Sequence, residues 1–241
     1  MQTPPRLAAS YPITKRNKVK RLHERGSYDH EGVHAILDAA ALCHVAYVIE
    51  GQPYCTPTTH WREGTRLFWH GSSASRMLRS QADGLPVCVT VSHLDGLVLA
   101  RCGFNHSVNY RSVLCFGTAR IVEAPEEKAA AVRAMIERFY PGRDEALRPM
   151  TAKELKATSV IGMDIEEASA KIRAKGNVDE PEDLSVPVWA GVIPILTVTG
   201  TMQPCPHNVT DAHPGGTGVF TSGRILDQIL TENQRRYEQD A

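Results

Sequence analysis

Residues 67–77, Leu-Phe-Trp-His-Gly-Ser-Ser-Ala-Ser-Arg-Met, run from an apolar stretch into small hydroxyl residues, then an arginine and an amphipathic segment. A strand that turns here into a helix sets Ser72, Ser73 and Ser75 around backbone N–H groups that have no partner in the first helical turn. Such an end attracts anions, because the helix dipole is positive there. Arg76 adds a guanidinium suited to phosphate oxygens. The spacing can therefore hold a phosphate, although the same residues also suit an ordinary serine-capped surface helix. His70, at the strand end beside Gly71, titrates near neutrality and can give or take a proton. A histidine merely tolerated at a strand end is the alternative.

Other chemistry finds less support. His93 with Asp95 and His106, and Cys205 with His207, Asp211 and His213, match no familiar zinc spacing, and no metal site is expected. His207 and His213 also read as part of a solvated linker. The six cysteines form no Cys-x-x-Cys pair, and five lie in apolar strand-like contexts, which predicts buried free thiols. There is no Gly-x-Gly-x-x-Gly after a strand, no Walker loop and no Gly-x-Ser-x-Gly. A Rossmann domain and an esterase are thereby disfavoured.

The elements that must position these residues are mostly strands. Apolar residues Val33, Ile36, Leu37 and Ala40 follow Asp29 at helical spacing. Strands are predicted over 45–50, 54–61 and 67–70, in a short-looped meander. Asp95-Gly96, between 87–92 and 97–101, is a hairpin signal, and a long strand is predicted over 112–122. Pro125 opens a helix whose Val132, Met135, Ile136 and Phe139 share a face. Thr151-Ala-Lys-Glu154 is a capping box. Segments 159–165 and 188–198 read as the last core strands, 203–218 as a linker, and 225–237 as a terminal helix. Many short strands with covering helices suit a small closed barrel. The expected organisation is a mobile basic arm over 1–20, a barrel domain over 21–200, and a linker with a C-terminal helix over 201–241.

Composition frames the function. The 241 residues carry 27 Lys+Arg and 27 Asp+Glu, so no overall field attracts nucleic acid or anionic lipid. No apolar run matches a membrane span and the first residues lack a signal-peptide core. A cytoplasmic protein that binds neither nucleic acid nor membrane is expected.

Three further segments complete a pattern with 67–77: Gly51-Gln-Pro-Tyr-Cys-Thr-Pro-Thr-Thr-His-Trp61, Asn109-Tyr-Arg-Ser-Val-Leu-Cys-Phe-Gly-Thr-Ala-Arg-Ile-Val122 and Val186-Pro-Val-Trp-Ala-Gly-Val-Ile-Pro-Ile195. In this order they resemble the pyridoxamine 5'-phosphate oxidase-like FMN-binding split barrels, in particular the flavin-nucleotide-binding, nitroimidazole-reductase-like branch. The resemblance covers about residues 21 to 197. It implies a mainly β fold with peripheral helices, a six-stranded antiparallel split β-barrel, with FMN held at the interface of a homodimer. By resemblance Ser75 and Arg76 match the pair that binds the 5′-phosphate, with Ser72, Ser73 or Arg111 as further contacts. Met77 stands where many relatives carry a second basic residue. His70 and Gly71 match the strand end beside the flavin. Thr56, Pro57, Thr58 and Thr59 match the strand lining the isoalloxazine. Tyr110, Arg111 and Ser112 match a second phosphate and ribityl segment, and Trp189 the aromatic of a Trp-x-Gly element.

The Arg-Leu-His-Asp-Arg signature of the vitamin B6-forming oxidase is missing after Trp189. The resemblance therefore implies a different FMN-dependent oxidoreductase, reducing a small nitroaromatic or quinone-like acceptor with His70 as the catalytic proton donor. Its alternatives are a non-catalytic flavin carrier or sensor, and a split barrel holding haem or a deazaflavin.

Overall fold

The computed structural model describes residues 10–209 and 218–240. After a short strand β1 (Gly26–Ser27), the carboxylate of Asp29 accepts from the Gly32 backbone N–H at 2.6 Å and caps α1 (His30–Asp38). Strand β2 (Leu42–Ile49) alternates, turning Cys43, Val45 and Tyr47 inward. Glu50 and Gly51 both take positive φ, 50° and 75°, the geometry of a two-residue hairpin turn into β3 (Gln52–Glu63). The chain continues through β4 (Arg66–Ser72), α2 (Arg76–Gln81), β5 (Leu85–Leu99), β6 (Ser107–Ile121), α3 (Pro125–Phe139) and α4 (Ala152–Ala157). Then follow β7 (Thr158–Asp164), β8 (Glu167–Arg173), β9 (Gly191–Pro194) and α5 (Leu226–Asp240).

The strands pair antiparallel in the order β2–β3–β4–β7–β6–β5, and β5 returns to β2, closing a ring of six. This is a mainly antiparallel β fold, a six-stranded split barrel. Two strands serve two neighbours in turn. β6 pairs with β8 over Tyr110–Phe116 and reaches β7 only at Arg120 and Ile121. β3 pairs with β2 up to Thr59 and with β4 only from His60 onward.

Inside the ring lie Val45, Leu67, Trp69, Val89, Val113, Cys115, Ile161 and Met163. The indole N–H of Trp69 donates to Gln81 Oε1 at 3.0 Å, both fully buried, and losing such a ring costs about 3–5 kcal/mol. A second apolar cluster, Trp61, Phe68, Val122, Ala131, Ala134 and Val160, packs β3 and β4 against α3 from outside. Buried polar groups seal α5 there. Arg62 donates to both oxygens of Asp38, at 2.9 and 2.6 Å, and to Glu238 at 2.6 Å, while Arg138 donates to Gln234 and to the Asp38 carbonyl.

Several expectations change. Asp95-Gly96 is no hairpin: β5 runs straight through, its register shifting between Leu94 and Gly96. Long-range neighbours decide this, because Arg111 holds the Asp95 carboxylate and Gly96 lies so close to β9 that a Cβ would meet the Ile193 carbonyl at 3.1 Å. Segment 188–198 is no core strand; β9 is a four-residue edge, and Val188 and Trp189 are exposed. The core strand in its place is β8, whose Ala168, Ser169 and Ala170 are buried although their types favour no strand. Within residues 10–20, Tyr11 and Asn17 are anchored on the barrel: Tyr11 is buried, and the Asn17 amide donates to the Ala168 carbonyl. Residues 1–9 lie outside the described residues. On α3 the face against the barrel is Ala131, Ala134 and Arg138 with Phe139, while Val132 and Ile136 remain half-buried. The terminal helix is part of the domain, with Ile229 and Leu230 buried. Cys43 and Cys115 are buried, but Cys55 and Cys205 are exposed, because Cys55 falls on the outward side of β3. Among the described residues no helix is long and apolar enough to cross a membrane.

Candidate functional site

β3 and β4 part company after the His60–Trp69 pair. Beyond it β4 stays with β7, as His70–Val160, Gly71–Ser159 and Ser72–Thr158, whereas β3 residues 52–59 stay with β2. Among the described residues no strand covers the other edge of 52–59, so the backbone C=O groups of Pro53, Cys55, Pro57 and Thr59 face outward from the sheet edge, with N–H groups only at Cys55 and Thr59 because the two prolines carry none.

The turn after β4 closes this gap at its far end. The Ser75 N–H donates to the Ser72 carbonyl at 2.9 Å and the Ser73 N–H to the Ala157 carbonyl at 2.9 Å. Ser75 occupies the N-cap position of α2 without making a side-chain cap bond. Arg76 lays its guanidinium over the Tyr54 ring, 4.4 Å from the centroid, and makes no ion pair among the described residues. A cation–π contact leaves the guanidinium edge available for an anion. Tyr54 stacks on Tyr47, whose hydroxyl meets the Thr56 hydroxyl at 3.1 Å, so the floor under Arg76 is fixed. Tyr54 is a site residue that strand parity, shared with Thr56 and Thr58, would have suggested.

His70 lies on the other face of β4. Side chains alternate, so Trp69 and Gly71 turn inward while Phe68 and His70 turn outward toward Trp61, whose ring centroid is 5.9 Å from that of His70. Its Nδ1 is enclosed and has no partner, and desolvation lowers its pKa from the ordinary imidazole value. The neutral ring is the form present at pH 7.

The remaining expected residues do not gather here. Met77 is buried in the barrel core beside Leu78, so it faces no ligand. Thr56 to Thr59 lie along the open edge, with Pro57 exposed. Tyr110, Arg111 and Ser112 sit toward the start of β6, whereas α2 meets its end, where the Ile121 N–H donates to the Ala82 carbonyl. Arg111 is committed: it donates to both Asp95 oxygens, at 3.2, 3.0 and 2.7 Å, and to Asp227 at 2.9 Å. The Ser112 hydroxyl donates to the Lys171 carbonyl. Trp189, 64% exposed, lies over Gly191 before β9. A cleft of about 360 Å³ opens beside Arg111, with Leu42, His93, Ile195 and Leu226 in its walls. Its charges are two carboxylates against one guanidinium, the wrong sign for a phosphate. His93 is engaged with the Ile36 carbonyl at 3.1 Å, and Asp211 and His213 lie outside the described residues.

The pyridoxamine 5'-phosphate oxidase family matches residues 29–172, more than half of the chain. The chain belongs to this family. Its fold also agrees with solved structures. The flavocytochrome Anf3 from Azotobacter vinelandii is 43% identical, with TM-score 0.81 over 87% of this chain and 98% of that one. The FAD and haem binding protein from Mycobacterium smegmatis is 35% identical, with TM-score 0.79 over 84% of this chain and 98% of that one. A Bacteroides thetaiotaomicron protein ascribed to 5-nitroimidazole antibiotic resistance, 21% identical with TM-score 0.50 over 61% of this chain and 86% of that one, shares the fold. No curated protein matches the chain.

Proposed function

We propose that the chain is a flavin-binding redox protein whose flavin lies along the open edge of β3, with its phosphate end on Ser75 and Arg76. The observation that carries this is the Arg76 guanidinium, seated on Tyr54 beside the Ser72–Ser75 turn with no carboxylate among the described residues paired to it. The residues fit the group: a cation for phosphate, and an uncovered strand edge whose N–H and C=O groups match the polar rim of an isoalloxazine. When bound, the flavin supplies electron transfer. Arg76 and Ser75 orient its phosphate end, and the β3 backbone from Thr56 to Thr59 aligns its ring. His70, neutral and half-buried at the end of β4, holds a proton acceptor at Nδ1 or Nε2.

Resemblance implied FMN. Likeness to a flavocytochrome and to an FAD and haem binding protein, both above 30% identity, supports the dinucleotide FAD together with haem as the fuller reading. With either cofactor set, the reading here is an oxidoreductase that passes electrons from the flavin to a small acceptor. Extraction of the purified protein, chromatography of the released flavin before and after phosphodiesterase treatment, and an absorption spectrum separate these readings. FAD with a Soret band is expected. FMN without one returns the protein to the simpler FMN oxidoreductase, and a colourless protein that binds neither flavin removes the proposal.

The working unit in this reading is a homodimer that covers the open edge. Outward positions on four neighbouring strands, alternate residues from Leu42 to Val48, Pro53 to Thr59, Pro86 to Ser92 and Ser112 to Thr118, include no Asp, Glu, Lys or Arg. Leu42, Val48 and Leu114 are exposed on this face. Depletion of charge over an exposed sheet face marks an interface rather than a solvated surface. Light scattering of wild type and Val48→Lys tests it: a dimer is expected for the first and a monomer for the second, and a monomeric wild type that still holds flavin would falsify it.

A further inference from the structure

Helix α1 opens with His30-Glu-Gly-Val-His34. Histidines at this spacing lie one above the other on a helix. A His-Glu-x-x-His run on a helix is also the pattern by which zinc hydrolases hold their metal. Here the two imidazole centroids are 5.4 Å apart and tilted by 34°. Two imidazoles bound to one tetrahedral ion, at about 2.0–2.1 Å per nitrogen, keep their centroids roughly 5 Å apart. The pair therefore stands at chelating distance as folded.

Tyr11 steadies both rings. Its ring centroid is 4.2 Å from that of His30, and its hydroxyl is 2.8 Å from His34 Nε2. An imidazole that donates its Nε2 proton to an oxygen presents a lone pair at Nδ1, and such an outer partner orients metal-ligating histidines. His34 Nδ1 is not sealed off, in contrast to Nδ1 of His60 and His70. Among the described residues the His30 ring is engaged only in stacking. Burial lowers the His34 pKa to about 4, so at pH 7 no proton competes for its lone pair.

The surrounding charge suits a cation. Asp29, the cap of α1, acts on His30, and Glu238 acts on His34. Asp29 and Glu31 also offset the positive end of the helix dipole. Arg62, the cation facing His34, is already held between Asp38 and Glu238. Among the described residues no third His, Cys, Asp or Glu gathers with the pair. Hydrolytic zinc sites use three protein ligands, so the arrangement suits binding and not hydrolysis.

We propose that His30 and His34 chelate one Zn²⁺ ion, with Tyr11 holding the His34 ring and water filling the remaining positions. Through Tyr11 the ion ties the segment before β1 to α1. This proposal does not rest on the flavin reading.

Calorimetric titration of the whole protein, freed of metal with EDTA and dialysed, with zinc chloride at neutral pH tests it. Saturable binding of one ion per chain is expected, with a rise in melting temperature on saturation. His30→Gln should weaken binding by more than about a hundredfold, since a ligand outweighs the outer partners that are worth about 10–100-fold, and should abolish the thermal shift. Tyr11→Phe should weaken it by about tenfold. Imidazole ¹⁵N spectra of the wild type need no variant: zinc should shift the nitrogens of His30 and His34 and leave those of the other histidines in place. Flavin content should be the same with and without zinc. Absence of saturable binding, undiminished affinity in either variant, or shifts confined to other histidines would overturn the proposal.

Discussion

Arg76 and Arg111 were equals in the sequence, each an arginine beside a serine in a segment resembling a phosphate contact. In the structure they differ in what surrounds them. Arg76, at the end where α2 begins, rests on the Tyr54 ring and meets no carboxylate among the described residues. Arg111, at the end where α1 and α5 meet the barrel, is held by Asp95 and Asp227, and two charges of the opposite sign outweigh it. A guanidinium binds an incoming phosphate only where no carboxylate already occupies its donors, because displacing a bidentate partner forfeits much of the gain. The difference separates a ligand-facing end from a structural one.

The largest effect is expected at the ligand-facing end. His70→Gln should slow reoxidation of the reduced flavin by about 10²–10⁴-fold, the usual worth of a general acid or base, with flavin content unchanged. Stopped-flow traces from pH 5 to 9 check it, and wild-type rates with an unaltered pH profile would leave His70 as packing against Trp61. Arg76→Ala should weaken flavin binding by roughly ten- to hundredfold, from the loss of about 1.5–3 kcal/mol. Riboflavin, which lacks the phosphate, should bind both proteins alike; equal losses for the two ligands would break the assignment.

At the other end the expected signature is reversed. Arg111→Ala should leave flavin affinity within about twofold but cost about 1 kcal/mol, since the ion cluster is partly exposed and the two carboxylates are left facing each other. That lowers the melting temperature by about 2–4 °C in a chain of this length, and adding Asp227→Asn should recover part of the loss. A fall in flavin affinity as large as that of Arg76→Ala would erase the contrast between the two ends.

Acid should also act through the α1 end. Burial lowers His34, bonded to the Tyr11 hydroxyl, to about 4 and His60, bonded to the Leu37 carbonyl, to about 3. Both are neutral when folded but take up protons near pH 6.5 when unfolded. Their contribution is complete above that pH and is lost as the pH falls through 6.5 toward 4. Thermal melts should decline over this window, less steeply for His34→Gln, and a flat profile between pH 7 and 4.5 would contradict the burial of these rings.

The local features were legible because their causes lie within a few residues. The Asp29 cap of α1, the Thr151 and Glu154 capping box, the Pro125 start of α3 and the inward alternation of β2 depend on side chains reaching their own backbone or on a repeat of two. The order of segments also identified the barrel, through its resemblance to a known family. Other features depend on partners far along the chain. Asp95-Gly96 has the chemistry of a hairpin, but Arg111 and β9 hold it inside a continuous strand. β8 is built of residues with low strand preference, and it is a strand because β6 offers it an unpaired edge over a buried face. Sequence determined which residues can carry charge, cap a helix or alternate along a strand. Tertiary structure decided which charges stay available, because whether Asp227 reaches Arg111, or Tyr54 reaches Arg76, is set by the closure of the barrel and by no neighbour in sequence.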